Sequence, residues 1–161
     1  MRRRFIAEDD LDPDLLIVAA HELGHAVLAS AYGITVVSIE VDPAAYTGLT
    51  RRDPNLNYDQ CSIEVLRAGL LGDVAGFEAE RMWGARHGGH VDRAGSTTDL
   101  TQFARYRRRA DLTTVGARRQ ARLVLRQHWA TVERLAPQLA RHGHVPAVVS
   151  PPHPPPFPHH R

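Results

Sequence analysis

The first regular pattern of apolar positions begins near Asp12 and predicts a helix. Asp12 can cap this helix, Pro13 suits its first turn, and Gly33 is a stop signal after Tyr32. The next stretch, I-T-V-V-S-I-E-V-D, alternates apolar and polar residues and predicts a half-buried strand over residues 34–42. Its inner face is expected to carry three apolar side chains, those of Val37, Ile39 and Val41.

The remaining pattern predicts a second short strand and then mostly helix. The strand is expected over 46–51, so that a small β-hairpin lies beside the first helix, and a loop follows over 52–59. Apolar positions with helical spacing predict three further helices, over about 60–83, 97–110 and 113–139. Pro137 is expected to kink or interrupt the last of them. The predicted fold class is therefore mainly α, with one small sheet (α+β).

Composition divides the chain into a folded part and a tail. Hydrophobic residues make up 43% and charged residues 24%, as in globular proteins. The end of the chain reads P-P-H-P-P-P-F-P-H-H-R, which cannot pack a core. We therefore expect one domain over residues 1–145 and a disordered Pro/His-rich tail over 146–161.

The location of the protein is expected to be cytoplasmic. Its single cysteine, Cys61, cannot form an internal disulfide. No run approaches 18 consecutive apolar residues, and acidic residues follow the basic N-terminus, so we expect neither membrane insertion nor a signal peptide.

The type and the distribution of charged residues limit the possible functions. The chain has no lysine, so it contains neither a P-loop ATPase motif nor a Schiff-base nucleophile. Residues 1–66 hold five arginines and eleven acidic residues, a net charge of −6. Residues 67–161 hold fifteen arginines and seven acidic residues, a net charge of +8. The basic run R-Y-R-R-R (105–109) has few aromatic neighbours and matches no nucleic-acid motif, so a solvated helical face is expected rather than a nucleic-acid site.

The motif that carries chemistry is H-E-x-x-H, formed by His21, Glu22 and His25 within the first helix. Residues four apart lie on one face of a helix, so both imidazoles can reach one Zn²⁺. Glu22 can then act as general base toward a water activated by the metal. The apolar flanks predict a buried helix, in which two histidines and a glutamate are costly unless they serve a site.

A catalytic zinc site usually has a third protein ligand. The metzincin pattern is absent, because Leu28 and Ala31 stand where its glycine and third histidine belong. An acidic residue remains, and the candidates are Glu64, Glu78, Glu80 and Asp99. Ser96-x-x-Asp99 also reads as a capping box that satisfies a helix start, a role compatible with ligation.

Four segments resemble the peptidase domain of the FtsH-type membrane AAA+ zinc proteases. They are H-E-L-G-H-A at 21–26, the strand at 34–42, G-F-E-A-E-R-M-W-G at 76–84 and A-G-S-T-T-D-L at 94–100. The resemblance covers about residues 15–140. The chain departs from the family in lacking its ATPase and transmembrane segments, in having Gly72-Asp73 near the family's Gly-Gly-Arg, and in having Thr97-Thr98 in place of Ser-Asn.

The resemblance implies a zincin-like helical metalloprotease domain. It implies that His21, His25 and Asp99 bind Zn²⁺, that Glu22 is the catalytic base, and that Glu80 supports the site from outside the ligand set. The expected activity is ATP-independent hydrolysis of unfolded proteins or peptides, with a separate delivery partner or ATPase where folded substrates are involved. The family's peptidase domains form hexameric rings, but the oligomeric state here stays open.

Two alternatives stay open from the sequence. The first is a regulatory metallopeptidase of the ImmA/IrrE sort, with Glu64, Glu78 or Glu80 as third ligand. The second is a zinc-binding docking module without catalysis, for which retention of Glu22 is not required.

Overall fold

The computed structural model describes residues 11–90 and 96–147. Within them, five helices and a three-stranded sheet confirm the prediction of a mainly α chain with one small sheet. In chain order the elements are α1 (Pro13–Ala31), β1 (Val36–Asp42), β2 (Thr47–Arg52), α2 (Ile63–His87), α3 (Thr97–Tyr106), α4 (Thr114–Gln127), α5 (Trp129–His142) and β3 (His144–Val145). The expected tail lies outside the described residues except for Pro146 and Ala147, and so does Gly95.

Helix α1 is the centre of the molecule. Its start is as predicted, because the Asp12 side chain accepts a hydrogen bond from the backbone N–H of Asp14 and Pro13 occupies the first turn. Gly33 follows its end with φ +76°, a conformation that favours glycine. By length and composition α1 could cross a membrane, with a mean hydropathy of 1.2 over 18 residues, but 83% of that 18-residue stretch is buried inside the protein.

Helix α2 packs closely against α1. A Cβ atom on Gly24 would lie 2.7 Å from the carbonyl oxygen of Ala75, so only glycine allows this approach. Ser62 caps α2, which begins at Ile63 and ends at His87, so both ends lie later in the chain than the predicted 60–83. Near this end of α2, the buried Trp83 packs against Trp129 of α5, with ring centroids 6.3 Å apart.

The sheet has the strand order β2-β1-β3, and both pairings are antiparallel. The prediction that Val37 faces inward is wrong: its side chain is 56% exposed, and Val36 is buried instead. A register shift between Val36 and Ser38 turns the strand at this point, and Ile39 and Val41 are buried as expected. The third strand, β3, was not predicted from the sequence.

The last predicted helix is two helices. The chain breaks at His128, and Pro137 lies inside α5, so of the expected kink or interruption at Pro137 the interruption does not occur. The break has a packing reason, since α4 packs mainly on α2 and α5 mainly on α1, which requires the chain to change direction between them. Helix α3 is also shorter than predicted and ends at Tyr106 instead of residue 110.

Candidate metal centre

Two imidazoles from consecutive turns of α1 meet at one point. His21 and His25 are both 7% exposed, and their Nε2 atoms are 2.8 Å apart. This follows from the i, i+4 spacing, which stacks the two side chains on one helical face. The fold thus brings the two histidines of the motif to one point.

The other nitrogen of each ring has a fixed partner on α2. Nδ1 of His21 donates to Glu80 Oε1 at 2.5 Å, and Nδ1 of His25 donates to the carbonyl oxygen of Gly72 at 2.7 Å. A carboxylate and a carbonyl can only accept, so each neutral ring has its proton on Nδ1 and a lone pair on Nε2. Glu80 thus contacts the nitrogen of His21 that faces away from the common point.

Asp99 completes the group from the first turn of α3. Its Oδ2 atom lies 3.3 Å from Nε2 of His25 and 3.6 Å from Nε2 of His21, and the three ligand atoms lie within 4.8 Å of one another. Ser96 occupies the N-cap position of α3 and Asp99 its first turn, as in the capping alternative, but the Ser96 side chain makes no capping bond. The buried Ser96 hydroxyl donates to Glu80 Oε1 at 3.4 Å instead.

The electrostatics of His21, His25 and Asp99 favour binding of a cation. Burial lowers the pKa of His21, but hydrogen bonds to Asp99 and Glu80 outweigh it and raise the pKa to about 10. Burial raises the pKa of Asp99, and hydrogen bonds from His21 and His25 outweigh it and lower the pKa below its usual range. Two facing lone pairs and a carboxylate therefore bind positive charge strongly, as a proton or as a metal ion.

The surroundings also fit a metal ion. Gly76 of α2 faces the two imidazoles, and a Cβ atom there would lie 2.5 Å from Nε2 of His25 and 2.7 Å from Nε2 of His21. Because residue 76 is glycine, it adds no side-chain atom on this side of the group. Two histidine nitrogens and a carboxylate oxygen are a donor set that Zn²⁺ accepts, with room for further ligands.

Glu22 lies beside the group and is held by strand β2. Its side chain is 6% exposed, and its Oε2 atom accepts a hydrogen bond from Thr50 Oγ1 at 2.7 Å. Gly48 gives it space, because a Cβ there would lie 2.6 Å from Glu22 Oε1. The carboxylate is thus buried next to His21 with one hydrogen bond from a hydroxyl.

The other acidic candidates lie elsewhere. Glu64 is exposed in the first turn of α2. Glu78 is buried, but both of its oxygens are bound by arginines of α4: Arg118 Nε contacts Oε1, and Arg122 Nη1 lies 2.8 Å from Oε2. Among the residues that the structure describes, the group with metal-binding geometry contains Asp99 and none of these glutamates.

Three supporting positions were missed by the sequence reasoning: Thr50, Gly72 and Gly76. Gly76 stood inside the G-F-E-A-E-R-M-W-G segment, and its glycine in a buried helix was a usable signal for close approach. The roles of the Gly72 carbonyl and of the Thr50 hydroxyl had no local signal, because each depends on a contact between distant segments.

Comparison with protein-family models, with curated proteins and with solved structures found no match. The inference of function therefore depends on the residues and the geometry of the site.

Proposed function

We propose that the protein is a zinc metalloendopeptidase with a zincin-like site. The family that it resembles is the FtsH-type peptidase domain. One observation carries the proposal. Nε2 of His21, Nε2 of His25 and a carboxylate oxygen of Asp99 converge within 4.8 Å of one another, and the adjacent residue in the chain is a buried glutamate.

Each residue has a defined task in this proposal. His21, His25 and Asp99 hold Zn²⁺, which supplies a Lewis acid that polarises the peptide carbonyl and lowers the pKa of a water molecule. Glu22 accepts a proton from the attacking water and gives it to the leaving amine. Glu80 and the Gly72 carbonyl hold the imidazoles in the required tautomer, and Thr50 orients the Glu22 carboxylate.

An extended substrate fits along strand β2. Strand β1 is the middle strand of the sheet and is paired with both β2 and β3. Within the described part of the chain no strand pairs with the outer edge of β2, and this strand contributes Thr50 and Gly48 to the surroundings of Glu22. A peptide paired with β2 would have its backbone beside the general base, with little demand on its sequence.

The proposed substrates are unfolded proteins and peptides. An extended edge strand binds backbone that is already unfolded, and the chain has no P-loop lysine with which to couple ATP hydrolysis to unfolding. Folded substrates would need a separate delivery partner or ATPase. A cytoplasmic location, without membrane insertion and without nucleic acid as partner, remains part of the proposal.

The test is hydrolysis of unfolded casein by the zinc-loaded protein without ATP. Wild type should cleave casein, and Glu22→Gln should lose at least about 100-fold in rate, the scale of a general base. Glu40→Gln, an exposed change of the same kind on β1, is the matched control and should keep full activity. Equal rates in wild type and Glu22→Gln would contradict the proposal.

Two further variants separate the alternatives. Asp99→Asn should reduce zinc affinity and activity together, whereas a site with Glu64, Glu78 or Glu80 as third ligand would keep zinc and activity in Asp99→Asn. Stoichiometric zinc with no cleavage of any substrate by wild type would favour the docking module.

A further inference from the structure

A cleft of about 530 Å³ lies between β2, the segment 53–58 and α3. Thr50, whose hydroxyl holds the Glu22 carboxylate, lines one wall of the cleft. Gln102 lines another, and it lies one helical turn beyond Asp99 on α3. The cleft therefore opens beside both the proposed general base and a proposed zinc ligand.

Arg52 provides a rigid hydrogen-bond donor in this cleft. Its Nη2 donates to the buried Asp73 at 2.8 Å, and its Nη1 donates to Tyr58 Oη at 3.3 Å and to the carbonyl oxygen of Gly69 at 3.2 Å. These bonds use three of the five guanidinium N–H groups. Nε–H and one N–H of Nη2 have no partner among residues 11–90 and 96–147, and the side chain remains 18% exposed.

The cleft is polar but has no excess of positive charge. Asp73 opposes the charge of Arg52 at 2.8 Å, and the half-buried Asp53 adds a carboxylate to the lining. The neighbouring polar side chains are uncharged, those of Thr50, Asn57 and Gln102. An acidic substrate side chain would meet Asp53 without a free countercharge, and an apolar one would leave the Arg52 donors without water or partner.

We propose that this cleft binds an uncharged amide side chain, of glutamine or asparagine, next to the bond that is cut. The amide oxygen accepts from Arg52, and the amide NH₂ group donates to the side-chain oxygen of Gln102 in the lining. This inference rests on the proposed peptidase activity and names the substrate side chain that the site prefers.

The test uses four peptides that differ only at one residue flanking the scissile bond: Gln, Glu, Leu or Lys, placed in turn on either side. The zinc-loaded protein should show kcat/KM for the Gln peptide about tenfold above that for the Leu peptide, on one side of the bond. Equal values for all four, or preference for Leu, Glu or Lys, would overturn the cleft proposal and leave the peptidase proposal standing. Failure to cleave any peptide or casein would overturn both.

A substitution in the cleft tests whether the preference for a glutamine side chain arises there. Gln102 is exposed and makes no hydrogen bond to another described residue, so Gln102→Leu should fold normally. The Gln-to-Leu ratio of kcat/KM should fall about tenfold in this variant. Gln127→Leu, the same change at an exposed position at the end of α4, is the control and should keep the wild-type ratio. An unchanged ratio in Gln102→Leu would overturn the assignment to this cleft.

Discussion

His21 and His25 use their two ring nitrogens for different purposes. Each Nδ1 is fixed by an acceptor on α2, so each Nε2 has a defined direction and a lone pair. With the Asp99 carboxylate beside them, these lone pairs require a shared cation. In the metal-free protein that cation is a proton, and the pKa of His21 is raised accordingly.

The metal-free protein should lose stability as the pH rises. The pKa of His21 is about 10 in the folded state against an ordinary 6.5, so its contribution is complete below pH 6.5 and is lost as the pH rises toward 10. With a chelator present, the urea midpoint of unfolding should fall between pH 6 and pH 9. The profile of His21→Asn should be flatter over this range. A wild-type midpoint that stays constant or rises would contradict the assignment of the proton.

Removing the carboxylate partner of His21 should weaken zinc binding. In Glu80→Gln the Nδ1–H loses its charged acceptor, so the ring becomes a poorer and less well oriented ligand, and zinc affinity should fall about 10–100-fold. Competition with a zinc-binding dye measures the change. Glu133→Gln also removes a carboxylate next to a histidine, the exposed His87, and should leave the affinity unchanged.

At the scale of elements, the α1–α2 contact positions the site. Glu80, Gly72 and Gly76 all belong to α2, and each faces a histidine of α1, so the spacing between the two helices sets the geometry of the imidazoles. Gly24 lies in this contact and allows the helices to approach. The contacts that pack α1 against α2 are thus also the contacts that orient the two histidines.

Gly24→Ala should therefore destabilise the protein, although alanine favours helix more than glycine does. The added methyl group would lie 2.7 Å from the Ala75 carbonyl oxygen and from the Ala79 Cβ, and such overpacking costs about 1–3 kcal/mol. Urea unfolding measures the loss. In Gly72→Ala the methyl group meets only Arg52 Nη1, at 3.1 Å, so a smaller effect is expected. Equal stability of wild type and Gly24→Ala would contradict the close contact.

The sequence predicted those features that depend on neighbouring residues. The start of α1 follows from Asp12 and Pro13, and the pairing of His21 with His25 follows from helical spacing. Asp99 had an equal claim as a helix cap, and the resemblance to a family was needed to favour it as a ligand.

Features set by tertiary contacts were beyond the sequence. Pairing of β3 with β1 and the break at His128 depend on how α5 returns across α1. The bulge that exposes Val37 depends on its pairing with β2. The hydrogen bond from Thr50 to Glu22 joins residues 28 positions apart and has no periodic signal.

For the whole molecule, several arginines of the basic half act as internal clamps. Arg109 donates to the carbonyl oxygens of Tyr58 and Cys61, and Arg67 donates to that of Ala110 at 2.8 Å. Arg118 and Arg122 bind Glu78. The basic run was expected to be a solvated face, and Arg109 departs from this by connecting the segment after α3 to the segment before α2.

Zinc should stabilise the whole fold, because its proposed ligands come from α1 and α3. A ligand at 100 times its Kd stabilises the folded state by about 2.7 kcal/mol, which corresponds to a rise in Tm of roughly 5–10 °C for a chain of this size. Thermal unfolding with zinc and with excess chelator measures it. The double variant His21→Asn/His25→Asn should show no zinc-dependent shift in Tm. A wild-type Tm that is the same with and without zinc would contradict a site shared by α1 and α3.

The burial of α1 has a consequence for synthesis. The ribosome makes α1 before its main partner α2, and the last residue of α2, His87, follows the end of α1, Ala31, by 56 positions. At about 5–20 residues per second the gap lasts roughly 3–11 s. During that time a helix-length apolar segment is without its cover, open to capture by chaperones or by the machinery that recognises membrane-bound chains. The nascent chain is therefore most open to incorrect targeting before α2 has been synthesised.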